Sequence, residues 1–343
     1  MFNFSKKNQT INKNNRRHFL KSCGCCALTV SASGLGLLAS ATKAEAAAGG
    51  TPIRVGHMPA GCVSHLLLAK QRGLFEKAGL HVVPYQFNSP SEALQSLLSG
   101  NLQLMHGPWT MTVAAFADGT DELRIIGGSG QAGIELVARE GSITNLDEFK
   151  AAAKKGLKVG TLRLDTLELV AYGHISAAGN SYDDYKMTFF PSMVGMGEAI
   201  ANGSLDVCTL AQPYAEQVVR QAGAKYISDS TAVWGPEAAD CVITTRAGTV
   251  EAEANTLKAY LKVLKDSADL LANDYERALD DLVPIYGVPK DILRIALRRQ
   301  FPNPVISDIG VQGLKTANKY LVELGYLKND VIDQVVYLNL QPA

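Results

Sequence analysis

The sequence predicts an α/β chain of two lobes built from successive βα units, and three observations carry this. Ile53 to Leu80 reads as strand, loop and helix; a fresh series of βα units begins at Leu157; and from Val250 to the end the pattern is helical. The length of 343 residues is enough for two lobes, and 47% hydrophobic against 19% charged residues is the balance of a globular protein with sizeable cores.

At the N-terminus, Asn15-Arg16-Arg17-His18-Phe19-Leu20-Lys21 resembles a twin-arginine export signal. A moderately apolar stretch follows, Cys23 to Ala41, and then Ala44-Glu45-Ala46, an A-x-A cleavage pattern that puts residues 1–46 outside the mature protein. The apolar stretch is short and rich in Gly, Ser and Ala, unlike a membrane anchor. Residues 1–48 hold seven of the 33 basic residues and one of the 33 acidic ones, leaving 26 basic against 32 acidic groups. The mature chain is therefore acidic and has no basic stripe for nucleic acid. Three of six cysteines leave with the signal, so Cys62, Cys208 and Cys241 remain; the odd count and the lack of a CxxC pair predict no disulfide framework.

In the first lobe, Ile53 to Gly56 is a buried strand, a turn with Pro59 and Gly61 follows, and Leu66, Leu67, Ala69 and Phe75 fall on one side of a helix. A second strand spans His81 to Phe87. Ser89, Pro90 and Glu92 have the spacing of a capping box, and the helix they open ends at Gly100. The loop His106-Gly107-Pro108-Trp109-Thr110 follows a third strand and leads into a helix near Thr110. Leu123 to Gly127 and Gly133 to Arg139 are strands, and Thr144-Asn145-Leu146-Asp147-Glu148 caps a helix running to Lys155.

In the second lobe the strand Leu157 to Thr161 is followed by a loop and a helix over Leu167 to Ala178. Strands at Met187 to Phe190, Asp206 to Leu210 and Lys225 to Ser228 follow, with a helix from Pro191-Ser192-Met193 to Gly203. Cys241 to Thr245 is the return strand. The tail then reads as helices to Asn273, at Tyr275–Tyr286, at Lys290–Arg299 and at Asp308–Leu324.

The run LLLAKQRGLFEKAGLHVV, Leu66 to Val83, with SEALQSLLSGNLQLMHG, Ser91 to Gly107, resembles periplasmic solute-binding proteins of the nitrate, sulfonate and taurine ABC importers, a group related to pyrimidine-precursor binders. The resemblance implies a type II periplasmic-binding-protein fold, each lobe a mixed sheet flanked by helices, with a ligand cleft between lobes. It divides the chain into 51–138 plus 242–343 as lobe 1 and 139–241 as lobe 2, hinged near 138–140 and 240–243, with the tail bracing the first lobe. It also implies an exported, periplasmic, monomeric protein that delivers a small molecule to the membrane subunits of an importer. An enzyme resembling the pyrimidine synthases of thiamin formation is the competing class, and a sensor or docking subunit a third. Against the enzyme, the sequence contains no G-x-S-x-G, HExxH, P-loop or G-x-G-x-x-G after a strand. Gly127-Gly128-Ser129-Gly130 leads into another strand and makes no phosphate cradle.

Open α/β sheets bind ligands beyond the carboxyl ends of their strands, which nominates the site residues by position. In the first lobe these are His57, Met58, Cys62, Ser89, His106, Trp109 and Thr110; in the second, Arg163, Asp165, Ser192, Gln212 and Tyr214. Arg163 offers a bidentate clamp for an anion, whereas Asp165 is placed to cap the helix after it. Trp109 is either a core residue or a stacking wall. His57, His65 and His106 near Cys62 match no zinc spacing, so they read as cleft lining or structural histidines, and no cofactor or metal is expected. Helix N-termini after Pro59, Ser89, Pro108, Asp165 and Pro191 favour a small oxyanion or sulfonate; Trp109, Tyr214 and Met58 would instead suit a pyrimidine-like or other aromatic heterocycle.

Overall fold

A computed structural model describes residues 51–342. The twin-arginine sequence and the cleavage pattern lie outside the described residues. The first strands are β1 (Ile53–His57), β2 (Val82–Gln86), β3 (Leu104–Pro108) and β4 (Leu123–Gln131). Between them run α1 (Ser64–Gln71), α2 (Leu74–Lys77), α3 (Pro90–Leu98) and α4 (Trp109–Ala117). The next series is β5 (Ile134–Ala138), α5 (Leu146–Ala151), β6 (Lys158–Thr161), α6 (Thr166–Ala177) and β7 (Lys186–Phe189). It continues through α7 (Met193–Ala201), β8 (Val207–Ala211), α8 (Tyr214–Ala222), β9 (Lys225–Asp229) and α9 (Thr231–Trp234). The chain returns on β10 (Ala239–Arg246) into α10 (Ala247–Asn273), α11 (Tyr275–Tyr286), α12 (Lys290–Arg299), β11 (Phe301–Pro302), α13 (Asp308–Glu323) and α14 (Ile332–Val335).

These strands form two mixed sheets, one of six strands in the order β11-β4-β10-β3-β1-β2 and one of five in the order β7-β6-β8-β5-β9. In the first, β1 runs parallel to β2 and β3, while β10 lies antiparallel between β3 and β4. In the second, β6 is parallel to β7 and β8, and β5 is antiparallel to β8 and β9. The crossing between sheets falls at Ala132 and Gly133, both at positive φ (54° and 85°), and the return falls between Asp229 and Ala239. Both crossings precede the expected 138–140 and 240–243, because β5 already pairs within the five-stranded sheet and β10 pairs along its length within the other. Glycine is required at 133 by space as well as by φ: a Cβ there would lie 2.2 Å from Gln300 Cβ.

Local chemistry explains most element ends. Asn145 accepts from the Glu148 amide (2.9 Å) and Glu148 accepts from the Thr144 amide (2.7 Å), closing the start of α5. Ser89 precedes Pro90 with extended geometry, but its hydroxyl pairs with Ser91 Oγ at 2.7 Å and makes no cap, so the capping box expected with Glu92 does not form. The tail also differs from expectation, since it packs on both sheets' helices. Ser267 of α10 donates to the His65 carbonyl of α1 (2.8 Å), whereas Tyr320 of α13 meets Tyr172 of α6 edge-on at 5.7 Å. One apolar core accordingly joins Trp109, Val113 and Val242 to Leu167, Met196 and Leu210.

Inside the six-stranded side a polar chain is fully paired. Ser129 Oγ donates to the Cys62 carbonyl at 2.9 Å, so it must accept from His106 Nδ1 at 2.7 Å. That assignment leaves Nε2 as an acceptor for Tyr260 O–H, also at 2.7 Å. Burial holds His106 well below the ordinary histidine pKa, consistent with this neutral tautomer. Removing the hydroxyl with Tyr260→Phe strands a buried ring nitrogen. The unfolding free energy in urea is expected to fall by about 1–3 kcal/mol, and an unchanged midpoint would show that the chain of bonds does not stabilise the fold.

Candidate functional site

A cavity of about 380 Å³ lies where loops from both sheets meet. From the six-stranded side it is lined by Met58, Pro59 and Ala60 after β1, Asn88 and Pro90 after β2, Pro108 at the end of β3, and Cys241 on β10. The five-stranded side contributes Ile134, Leu162, Asp165, Thr166 and Leu167, then Ser192 to Val194, Ala211 and Tyr214. Gln300, from the tail, completes the wall. The loops that end β1, β2, β3, β6, β7 and β8 thus converge as the strand-end rule requires.

Of the residues nominated from sequence, Met58, Asp165, Ser192 and Tyr214 line this cavity. The others are taken elsewhere. His57 is buried with Nδ1 3.1 Å from the Met58 carbonyl, and His106 is spent in the Tyr260–Ser129 chain. Trp109 is a fully buried core residue, which decides against the stacking wall at this cavity. Ser89 turns to Ser91. Thr110 is buried and donates to the Leu164 carbonyl at 3.0 Å, bridging the two sides.

Arg163 does not reach the cavity either. Its guanidinium lies 3.7 Å from the centre of the Phe189 ring and donates to Tyr326 O–H at 3.1 Å, so no anion clamp forms there. Gln212 Nε2 donates to Glu135 Oε1 (3.2 Å) and Tyr226 O–H (3.1 Å), while its Oε1 accepts from the Glu216 amide. Cys62 is buried behind Gly130, where an added Cβ would lie 2.4 Å from Cys62 Cβ. Its thiol neighbours Cys241; a hydrogen bond between the two, with burial, pushes the Cys241 thiol well up. Among the described residues Cys62, Cys208 and Cys241 are free thiols. Among the described residues no group of three His, Cys, Asp or Glu side chains could hold a metal ion.

The electrostatics of the wall follow from these contacts. No lysine, arginine or histidine lines the cavity. Two of the helix N-termini expected to serve an anion already have donors engaged: Asp165 accepts from the Leu167 amide (3.0 Å) and Ser192 from the Gly195 amide (3.4 Å). Asp165 therefore caps α6, as its position predicts, with Glu168 accepting from the Leu164 amide beside it (2.5 Å). Burial is the main cause that raises the Asp165 carboxyl to about 6.

Sequence reasoning missed Gln300, Cys241 and Ile134. Gln300 is brought round by Arg299, which forms a bidentate pair with buried Glu135 of β5 (2.6 and 2.7 Å) and stacks on Tyr226 at 4.1 Å. Then Phe301 and Pro302 pair with Gln131 and Gly130 of β4. A polar residue between a helix and a proline was the available signal, and it does not say what the residue faces.

The family model of the NMT1-like family matches residues 46–279. No curated protein matches the chain. Among solved structures, the ligand-binding component of an ABC-type import system from Staphylococcus aureus, with zinc bound, is 15% identical with a TM-score of 0.74, covering 85% of this chain and 98% of that one. The periplasmic aliphatic sulphonate binding protein SsuA from Escherichia coli is 18% identical with a TM-score of 0.71, covering 86% and 94%. The desulfurization enzyme DSZB is 15% identical with a TM-score of 0.62, covering 85% and 97%. The two-sheet architecture is thus the periplasmic-binding-protein fold, found in binders and in an enzyme alike.

Asparagine caps a helix about as well as aspartate, so Asp165→Asn isolates the titration. A carboxyl whose pKa is raised on folding contributes stability that is full below its ordinary value near 3.8 and is lost as pH rises through about 6. The variant should match the parent near pH 4 and exceed it by on the order of 3 kcal/mol above pH 7. Urea unfolding at several pH values checks this; a difference independent of pH would refute the assignment.

Proposed function

The chain belongs to the NMT1-like family, and on that premise we propose that it is an exported solute-binding protein. It captures a small molecule in the cavity between its sheets and hands it to the membrane subunits of an ABC importer. The convergence of six strand-end loops on one cavity supports capture. Among the described residues no helix is long and apolar enough to cross a membrane. The lobes follow the sheets, approximately 51–131 with 239–342, and 134–229.

The observation that carries the choice of ligand is the wall. Its side chains are mainly Met, Pro, Ile, Leu, Val, Ala and Tyr, and none is cationic. An oxyanion entering such a space would lose hydration without gaining a counter-charge, which costs several kcal/mol. A neutral or weakly basic ring-bearing molecule would lay its faces against Met58, Met193 and Tyr214 and keep the sulfur and aromatic contacts that such rings favour. This reading favours the heterocycle over the nitrate or alkanesulfonate suggested by helix N-termini alone. An enzymatic role lacks support at the wall, where Asp165 and Ser192 are committed to capping and no acid–base pair faces the space.

A ligand at a hundred times its Kd stabilises the protein by about 2.7 kcal/mol. In a thermal-shift screen of nitrate, taurine, alkanesulfonates and neutral heterocycles, the heterocycles are expected to raise Tm and the anions to leave it unchanged. Arg163→Ala should alter no ligand's affinity by more than about threefold. Shifts produced by anions alone would overturn the choice of ligand. Export is tested separately: changing Arg16 and Arg17 to Lys should retain the precursor in the cytoplasm, and unimpaired export would exclude the twin-arginine route.

A further inference from the structure

We propose that Gln300 is the specificity-determining residue of this cavity, and that its amide selects a neutral ligand carrying an N–H beside a carbonyl or ring nitrogen. The proposal rests on the assignment of the cavity as the ligand site. It goes further in naming the group that recognises the ligand's polar edge.

Gln300 is 1% exposed and borders the cavity, and both its Nε2 and its Oε1 are buried without a hydrogen-bond partner, so the amide meets a ligand by turning into the cavity. A buried amide has two donors and an acceptor to satisfy, and native proteins rarely leave all of them idle. The idleness is not slack in the chain. On one side Arg299 is clamped by Glu135; on the other Phe301 and Pro302 are paired to β4. The side chain itself lies across two glycines: a Cβ at Gly133 would come within 2.2 Å of Gln300 Cβ, and one at Gly61 within 2.8 Å of Oε1. Any larger residue at either position would displace the amide. Two other polar side chains of the wall have partners of their own, since Asp165 accepts from the Leu167 amide and Ser192 from the Gly195 amide.

The chemistry of the amide then selects the ligand. An anion would accept from Nε2 but set its charge against the lone pairs of Oε1. A cation would do the reverse. A neutral edge with donor next to acceptor satisfies both atoms at once, through two parallel hydrogen bonds that an analogue without the N–H cannot form.

The probes are 2-pyridone, which has an N–H beside its carbonyl, N-methyl-2-pyridone, which lacks the donor, and nitrate. Tm and calorimetric affinity are measured on the parent, on Gln300→Met and on Tyr214→Ala. The parent should bind 2-pyridone at least about tenfold more tightly than its N-methyl analogue, and Gln300→Met should abolish that preference. Without probe, Gln300→Met should melt about 2–4 °C above the parent, because an unsatisfied buried amide has been replaced by an apolar chain of similar length. The proposal is overturned if 2-pyridone fails to bind the parent, if the N-methyl compound or nitrate binds as well, if the preference survives in Gln300→Met, or if that variant melts below the parent. Preference lost in Tyr214→Ala but kept in Gln300→Met sinks the role of Gln300 alone. Binding unaffected by either substitution removes the cavity assignment as well.

Discussion

The pairing of Glu135 with Arg299 is the interaction on which the arrangement of this molecule depends most. Glu135 stands on the first strand of the five-stranded sheet, 1% exposed, and Arg299 ends a helix of the tail. Burial raises the Glu135 carboxyl from its ordinary value, and the guanidinium opposes that shift. A carboxylate in such a place is tolerable only when its oxygens are paired, and here Arg299 supplies two bonds and Gln212 a third. Arg299 is itself about a third exposed, so solvent screens part of the attraction. What the pair contributes above all is position, because it brings the tail across to the other sheet and sets the next residue against the cavity.

The Tyr260–His106–Ser129–Cys62 chain does comparable work in the six-stranded half. It links the long tail helix, two strands and the turn after β1 with every proton assigned. Two buried polar systems therefore hold the two sides, and each uses a group from the tail. The apolar core between them is shared by both sheets, so the halves are coupled by packing as well as by polar contacts.

Much of the fold was legible because its signals are local. The helices at Tyr275–Tyr286 and Lys290–Arg299 lie where their periodicity puts them, and Asp165 caps α6 because its side chain and the following amides are neighbours in the chain. The site was legible only as a set of loops. Most strand ends were placed within a residue, though β3 runs on through Pro108 and β4 through Gln131, and alternation along a strand and rotation of a helix start decide which side chain faces the space. Hence Met58 faces it while His57 turns into the core, and Pro108 lines it while Trp109 is buried. Arg163 was misread for a different reason. A ring from β7 and a hydroxyl from the far end of the chain, Phe189 and Tyr326, engage its guanidinium, and neither is predictable from its neighbours. Gln300 was invisible for the same reason in reverse.

The two crossings between sheets lie side by side. Ala239 is paired to Gln131, Asp229 is paired to Glu135, and the segment from Arg299 to Pro302 spans the same place. The covalent links and the ion-paired strap sit together here, and the shared apolar core and the Thr110–Leu164 hydrogen bond make further contacts between the sides. Two halves linked in this way could turn about these links while their other contacts part. Widening that leaves the links and the strap intact would be angular, parting the rim where Thr110 reaches Leu164 more than the region beside Gly133. Under the proposed assignment, a molecule would enter from the rim and meet Gln300 last.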